Sequence, residues 1–460
     1  MLIPRAAKAS VLVWIGLIIV DCGCLGLVQA DRPRTYVPET SSGQNTAPEI
    51  VEWTRHFTLP DDILFARHQT WKIDALIFLV SADATGKVRE ARPIAGFSLY
   101  LNPIASQIKQ IAFPARLAGK TFVLRVPDPL QRFKTDAQLY HAGRCAPDSE
   151  LRKLYQLGAM FWRSQDNDAA SICYKFILER NPASVAARWG LATICVAQKD
   201  RCADEYLESV IASNPEFTEA RERLIAKPTD PERFVEGLRE LLSASLPPAT
   251  RLKYLTDLAF WLNKMNRIDE EVETIDQWNA AADKLMEIYP LAASRYTTEA
   301  MHFGLVEEST GHNEGAIDSY RLVLTSAAHD SLFPLNARYD TEMGMARALR
   351  RTGHGAEAAD VCKRWQKKWR KLASHPVHHP WELREAGPDE LGGEWEFSCG
   401  DQEKGLALIQ KAAKEYPDSN EPYTALAHYY YSTGQVSKAR DAEATASRML
   451  DEWGKKLGEF

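Results

Sequence analysis

Long hydrophobic runs are scarce in this 460-residue chain. The apolar stretch nearest the N-terminus, Val11 to Val20, ends directly at Asp21. A permanent transmembrane helix needs about 20 apolar residues, and this stretch is half that. A surplus of either charge is also lacking. Lys plus Arg number 56 against 62 Asp plus Glu, for a formal charge of -6. That balance argues against a general nucleic-acid binder, which needs cations for phosphate. The sequence holds no Gly-x-Ser-x-Gly elbow, no phosphate-cradling Gly-rich loop and no His-Glu-x-x-His. No cofactor and no catalytic residue are therefore expected. An unrecognised envelope enzyme stays as an alternative, because triads assemble from residues distant in sequence.

The short apolar stretch has another use. Arg5 and Lys8 precede it, and Val28-Gln29-Ala30 follows as a small-residue cleavage site. Residues 1–30 have the layout of an export signal. Its removal would take away one net positive charge and leave the mature chain in the periplasm, secreted or at the cell envelope. Retention would instead make it an inner-membrane anchor. Lipid on Cys24 is a third course, although Asp21 stands where lipoprotein signals usually carry an aliphatic residue. Six of the eight cysteines follow Ala30. Export would permit disulfides. Cys195 and Cys202 flank the turn Gln198-Lys199-Asp200-Arg201 and could bridge a helix pair, while most of the others read as buried thiols.

Residues 31–48 are rich in Pro, Ser and Thr and read as a flexible linker. From 49 to 135 the character changes to α+β. Ala75–Val80 is a strand-like run, Asp83-Ala84-Thr85-Gly86-Lys87 a turn, Val88 the start of a second strand, and Leu101–Ile111 a short helix. Thr121–Val126 alternates as a third strand. Three local matches, Asp83-x-x-Gly86-x-Val88, Ile111-Ala112-Phe113-Pro114-Ala115 and Gly119-Lys120, make this unit resemble the C-terminal domain of TonB-type energy transducers. Ile111 stands where that family usually has Trp, and its long Pro-rich spacer is missing. The resemblance implies the fold, with Phe113 buried on the sheet and Pro114 ending the helix. A membrane-anchored transducer relative is the corresponding functional alternative.

The stretch 150–455 is different again. In the copy beginning at Leu151, Leu154, Leu157, Gly158 and Phe161 share one helix face, Ala170, Tyr174 and Ile177 a second, and Pro182 closes the unit. Comparable spacing recurs with Ala203, Leu207, Val210 and Pro215, with Gly304, Ala316, Tyr320 and Val323, with Met345, Ala346, Leu349, Gly353 and Ala358, with Gly393, Gly405, Ile409, Ala412 and Pro417, and with Leu426, Ala427, Gly434, Ala439 and Ala446. Small residues recur where helices must touch. This pattern resembles the tetratricopeptide repeat, a helix–turn–helix of about 34 residues. Between 218 and 290 the signature fades into irregular helix pairs. The expected architecture is thus a small α+β domain followed by an all-α, tetratricopeptide-like superhelical solenoid, which works as a protein-binding scaffold.

The resemblance implies a groove lined by positions 2, 5, 9, 12 and 13 of each copy. In the first copy these are Arg152, Tyr155, Ala159, Trp162 and Arg163. In the copy near Tyr339 they are Asp340, Met343, Arg347, Arg350 and Arg351, and the last copy contributes His428 and Tyr431. Arginines and aromatics on one face would suit acidic peptides or a free carboxylate. Two other clusters have plainer readings. His375-Pro376-Val377-His378-His379-Pro380 could offer imidazoles to a metal, but its prolines break the helix that would aim them, so a connector is expected. Trp365 and Trp369, four apart among lysines and arginines, should pack inward with the cations solvated.

Overall fold

The computed structural model describes residues 48–53, 57–67, 75–129, 144–198, 202–225, 230–329, 335–369 and 388–458. The export signal with Cys24, the linker up to residue 47 and the His375–His379 cluster lie outside these residues. No helix among the described residues is long and apolar enough to cross a membrane. The chain is a small α+β domain followed by an all-α array of helical hairpins. It divides into two compact units, Thr46–Met265 with Lys284–Tyr289, and Asn266–Asp283 with Pro290–Phe460, the latter grouped with Met1–Asn45.

In the first unit, β1 (Glu49–Glu52), β2 (Ala75–Ala82), β3 (Val88–Ala95) and β4 (Thr121–Pro127) form a sheet in the order β1-β4-β2-β3. β1 runs parallel to β4, and β2 pairs antiparallel with both β3 and β4. The β2–β3 turn is built by Asp83, whose Oδ1 accepts from Thr85 N at 2.9 Å and Lys87 N at 3.0 Å. Gly86 takes φ +84°, and a Cβ there would collide with the Phe113 carbonyl. Only glycine serves at such a close, left-handed position. Phe113 N donates to Gly86 O at 2.8 Å and Gly119 N to Asp83 O at 2.7 Å, so one turn holds two distant segments. Phe113 is buried and meets Phe122 edge-on at 4.9 Å and Trp53 at 5.7 Å.

The sequence-based helix is displaced. α2 spans Ser98–Ile108 rather than 101–111, so Pro103 lies inside it and the chain has left the helix five residues before Pro114. The reason is burial: Leu99, Tyr100, Leu101, Ile104, Ala105 and Ile108 all turn into the core. β1 and α1 (Asp61–Leu64) were not legible in advance.

Helices α3 (Leu151–Arg163), α4 (Asn167–Arg180), α5 (Val185–Gln198), α6 (Cys202–Ser213), α7 (Thr218–Ile225), α8 (Pro231–Ser243) and α9 (Pro248–Lys264) follow. Tyr174 of α4 is 1% exposed and is gripped between glycines of two neighbouring helices. A Cβ on Gly158 of α3 would stand 2.8 Å from its ring, and one on Gly190 of α5 would stand 2.5 Å away. The second unit repeats the device. There α11 (Thr297–Thr310), α12 (Asn313–His329), α13 (Leu335–Arg351), α14 (Gly355–Trp365), α15 (Pro388–Cys399), α16 (Gln402–Glu415), α17 (Glu421–Ser432) and α18 (Val436–Gly458) form the hairpins. Tyr320 of α12 sits between Gly304 and Gly344, whose Cβ atoms would each come within 2.6 Å. α10 (Ile268–Ile288) contributes to both units.

The hairpin turns repeat as well. Gln165, Gly311, Gly353 and Gly434 all take positive φ. The residue after each donates to the carbonyl five back: Asp166 to Phe161, His312 to Glu307, His354 to Leu349 and Gln435 to Tyr430. This is the left-handed helix cap that reverses the chain at constant length. Four such turns at matching positions are a repeat seen in backbone geometry.

The six cysteines after Ala30 pair as Cys145–Cys173, Cys195–Cys202 and Cys362–Cys399, with Cα atoms 5.3, 5.8 and 5.5 Å apart. This corrects the expectation that most are free thiols. Cys399 meets Cys362 through the stacking of two helices, and Cys145 reaches Cys173 from the segment that precedes α3, neither of which residue spacing displays.

Candidate functional site

The faces of the first helices were the expected groove, and the structure fills much of that groove with the chain's own side chains. In the first hairpin Tyr155 is 2% exposed. Its hydroxyl lies 3.0 Å from Ser184 Oγ and donates to Asp62 Oδ1 at 3.1 Å, and its ring stacks on Phe65. Burial, and the charge of Asp62, push the phenol up to about 12. Asp62 belongs to the small domain. Its carboxylate also accepts from Val185 N and Ala186 N, each at 3.1 Å, at the start of α5. A carboxylate there completes free backbone donors and meets the positive end of the helix dipole.

The small domain is therefore fastened onto α3 and α5. A second fastening is Glu219, which accepts from Ser98 N at 3.0 Å and from the Ser98 hydroxyl, while Phe97 meets Phe217 edge-on at 5.4 Å. Tyr155 is thus an internal contact, not a partner-facing one. Arg152 stays exposed and lies 3.8 Å from Asp61, Arg163 is exposed at the end of α3, and Trp162 is half-buried.

In the second unit α11, α13, α15 and α17, the first helices of their hairpins, converge. α11 touches α17 as well as α13, and α15 touches α17. Between them Arg347 is 5% exposed. Its Nε donates to Glu308 Oε1 at 2.8 Å, Nη2 to Glu308 Oε2 at 3.1 Å and Nη1 to Ser398 Oγ at 2.8 Å. The guanidinium also lies over the Phe397 ring at 5.0 Å. Arg351 donates to Glu308 at 3.2 Å and to the Ser432 carbonyl at 2.6 Å, and Arg350 to the Cys399 carbonyl at 2.7 Å. The expected arginine face is corrected accordingly. All three guanidiniums bind groups of this chain: Glu308 is brought beneath Arg347 and Arg351, and Arg350 reaches the Cys399 carbonyl.

What remains on these first helices is acidic. Glu394 lies 3.7 Å from His428. Burial opposes the charge of Glu394, but His428 and Arg347 hold it below the usual carboxylate range. Burial, and the neighbouring charge of Glu394, drive Asp340 well above that range. His428 and Tyr431 are half-buried, and the Tyr431 hydroxyl donates to Glu443 at 2.7 Å. Met343 is fully buried, so it packs and does not line a groove. Trp365 is buried against Tyr339 at 5.0 Å, while Lys363, Arg364, Lys367 and Lys368 face outward.

No protein-family model matches this sequence, and no curated protein matches it either. Among solved structures the chain is similar to pilF of Pseudomonas aeruginosa, at 15% identity over 49% of this chain and 94% of that one, with a TM-score of 0.31. It is similar to the MamA protein at 16% identity, over 50% of this chain and 97% of that one, with a TM-score of 0.22. It is also similar to the TPR domain of P58(IPK), at 14% identity over 68% of this chain and 99% of that one, with a TM-score of 0.23. The tetratricopeptide-like architecture is carried by the hairpins themselves, through the repeated turns and the twice-used glycine–tyrosine–glycine packing.

Proposed function

We propose that this protein is an exported, non-catalytic scaffold that binds protein or peptide partners. The observation that carries the proposal is the stacking of helical hairpins within each unit, where first helices of the hairpins touch one another. Such arrays expose extended surfaces whose contacts vary by side chain while the packing stays constant. Three disulfides support an oxidising compartment, since cytosolic thiols are kept reduced. With the N-terminal charge pattern, they favour a cleaved signal peptide and the periplasm or cell envelope.

The small domain serves in this account as a fixed cap on the first hairpins. Its likeness to the TonB C-terminal domain rests on the Asp83 turn, the Phe113 segment and Gly119. Its fastening through Asp62 and Glu219 favours a static cap over a transducer domain that must reach away from its anchor. The β1 edge of the sheet is a second place where an extended peptide could add as a strand. With Arg347, Arg350 and Arg351 engaged internally, partner contact falls to the half-buried Glu421 at the start of α17, to His428 and Tyr431 of the same helix, and to the exposed Arg152 and Arg163 of α3.

The test is capture from envelope extracts with the protein lacking residues 1–30, disulfides intact, followed by the same capture after reversing Glu421 to Lys and replacing His428 with Ala. A partner lost from the double variant, with its thermal melt unchanged, supports the scaffold. Retention of every partner, or the appearance of a turnover product in place of a complex, overturns it.

A further inference from the structure

Two adjacent buried glutamates on α11 are treated in opposite ways. Glu308 is paired with two arginines. Glu307, 0% exposed, has no Lys, Arg or His beside it among the described residues. Its Oε1 lies 3.2 Å from Asn279 Nδ2 on α10, and its Oε2 lies 2.7 Å from Ser319 Oγ on α12. Ser319 Oγ in turn lies 3.1 Å from Asn279 Oδ1.

Counting protons decides the state of this ring. A serine hydroxyl has one hydrogen. If Glu307 is ionised, that hydrogen serves either the carboxylate or Asn279 Oδ1, and one buried acceptor is deprived. If Glu307 carries a proton on Oε2, it donates to Ser319, Ser319 donates to Asn279 Oδ1, and Asn279 Nδ2 donates to Oε1. Every group in the ring is then satisfied in one direction of travel.

The surroundings agree. A Cβ on Gly315 would collide with Glu307 Oε1, so the α12 backbone itself closes the site to water. The charges bearing on Glu307 are Asp276 of α10 and Asp318 of α12, both negative. α13 directs Arg347 and Arg351 to Glu308, and α17 turns His428 toward Glu394. The exposed Arg295 is the cation of the 3-10 segment Pro290–Arg295.

We propose that Glu307 is a neutral carboxylic-acid latch that fastens α10, α11 and α12, and that its ionisation in alkaline medium releases them. Burial pushes this carboxyl up to about 8, in keeping with the ring. The sign follows directly. Between the ordinary carboxyl range and about pH 8 the folded unit holds a proton that the unfolded chain lacks, so stability falls as pH rises through that interval.

The experiment compares the full-length parent with Glu307→Gln, whose amide nitrogen donates to Ser319 as the acid proton does. Amide-exchange protection of α11 peptides is measured for both at each pH, so that intrinsic exchange rates cancel. The expected ratio of parent to variant protection falls about tenfold per pH unit from 6 to 8, as for one proton, and is level above 9. Infrared difference spectra of the two at pH 6.5 should show the carbonyl band of a protonated acid in the parent alone. Asp276→Asn should move the loss of the parent's protection to lower pH, because the negative charge of Asp276 disfavours ionisation of Glu307 and its removal eases that ionisation. A flat ratio, a missing band, or a Glu307→Gln variant already less protected than the parent at pH 6 overturns the latch.

Discussion

The packing account is most exposed at Gly190. Replacing it with Ala adds one methyl group, whose carbon would lie 2.5, 2.6 and 2.9 Å from three atoms of the Tyr174 ring. Ordinary carbon contacts need about 3.5–4.0 Å, so the ring must retreat by about 1 Å. It has nowhere to go, because Gly158 holds its other edge and the side chain is 1% exposed. Overpacking of this kind costs about 1–3 kcal/mol, and alanine returns about 1 kcal/mol in helix propensity. The net expectation is a loss of up to about 2 kcal/mol, or a fall in melting temperature of up to about 8 °C for a unit of this size. Gly355→Ala is the control, since a Cβ there meets nothing within 4 Å and should be neutral or stabilising. In a Tyr174→Leu background the Gly190→Ala penalty should vanish, which differential scanning calorimetry of the four proteins would show. A Gly190→Ala protein that melts above the parent, or a penalty unchanged by Tyr174→Leu, would refute the glycine–tyrosine–glycine clasp.

Arg347→Ala should cost about 3–5 kcal/mol, because it strands the buried Glu308 carboxylate, and urea unfolding of the second unit reads this directly. Phe113→Ala should cost about 3–5 kcal/mol by the same measurement on the first unit, with Trp53 fluorescence as the local reporter. Asp62→Ala should weaken the fastening of the small domain, so that limited proteolysis cuts between residues 130 and 143 faster than in the parent. Intact mass of the native protein should lack residues 1–30 and show three disulfides by the mass gained on reduction; a mass that includes Met1 to Ala30, or a lipid on Cys24, contradicts export by a cleaved signal.

Much of the array was legible because helix packing leaves periodic marks. Gly158, Tyr174, Gly304 and Tyr320 carry the hairpin pattern in their identities and spacing, and the structure brings each pair together. The Asp83 turn was legible for the same reason: an Asp, a Gly and a β-branched residue at fixed offsets specify one backbone path. The misses share a different cause. Tyr155 matches a groove position, yet its surroundings are set by Asp62 from another domain, which no local pattern announces. Arg347 was placed on an open face because repeat numbering says where a side chain starts from its own helix, not what the next helices bring beneath it. Glu308 occupies position 12 of its copy, itself a groove position, and a carboxylate there is the sequence signal for the pairing with Arg347 and Arg351. Cys362 and Cys399 lie 37 residues apart and meet only because α14 and α15 stack. The short strand Glu49–Glu52 has too few residues to show alternation at all.

The central claim is that partners bind through the first helices of the hairpins, and site-specific photo-crosslinking in the native envelope tests it most directly. A photoreactive residue would be placed singly at Glu421 and Tyr431 on α17, and at Glu357 and Asp360 on the exposed side of α14. The account predicts a discrete higher-mass adduct from Glu421 and Tyr431 and none from Glu357 or Asp360. Adducts confined to α14, or identical from all four positions, would contradict it.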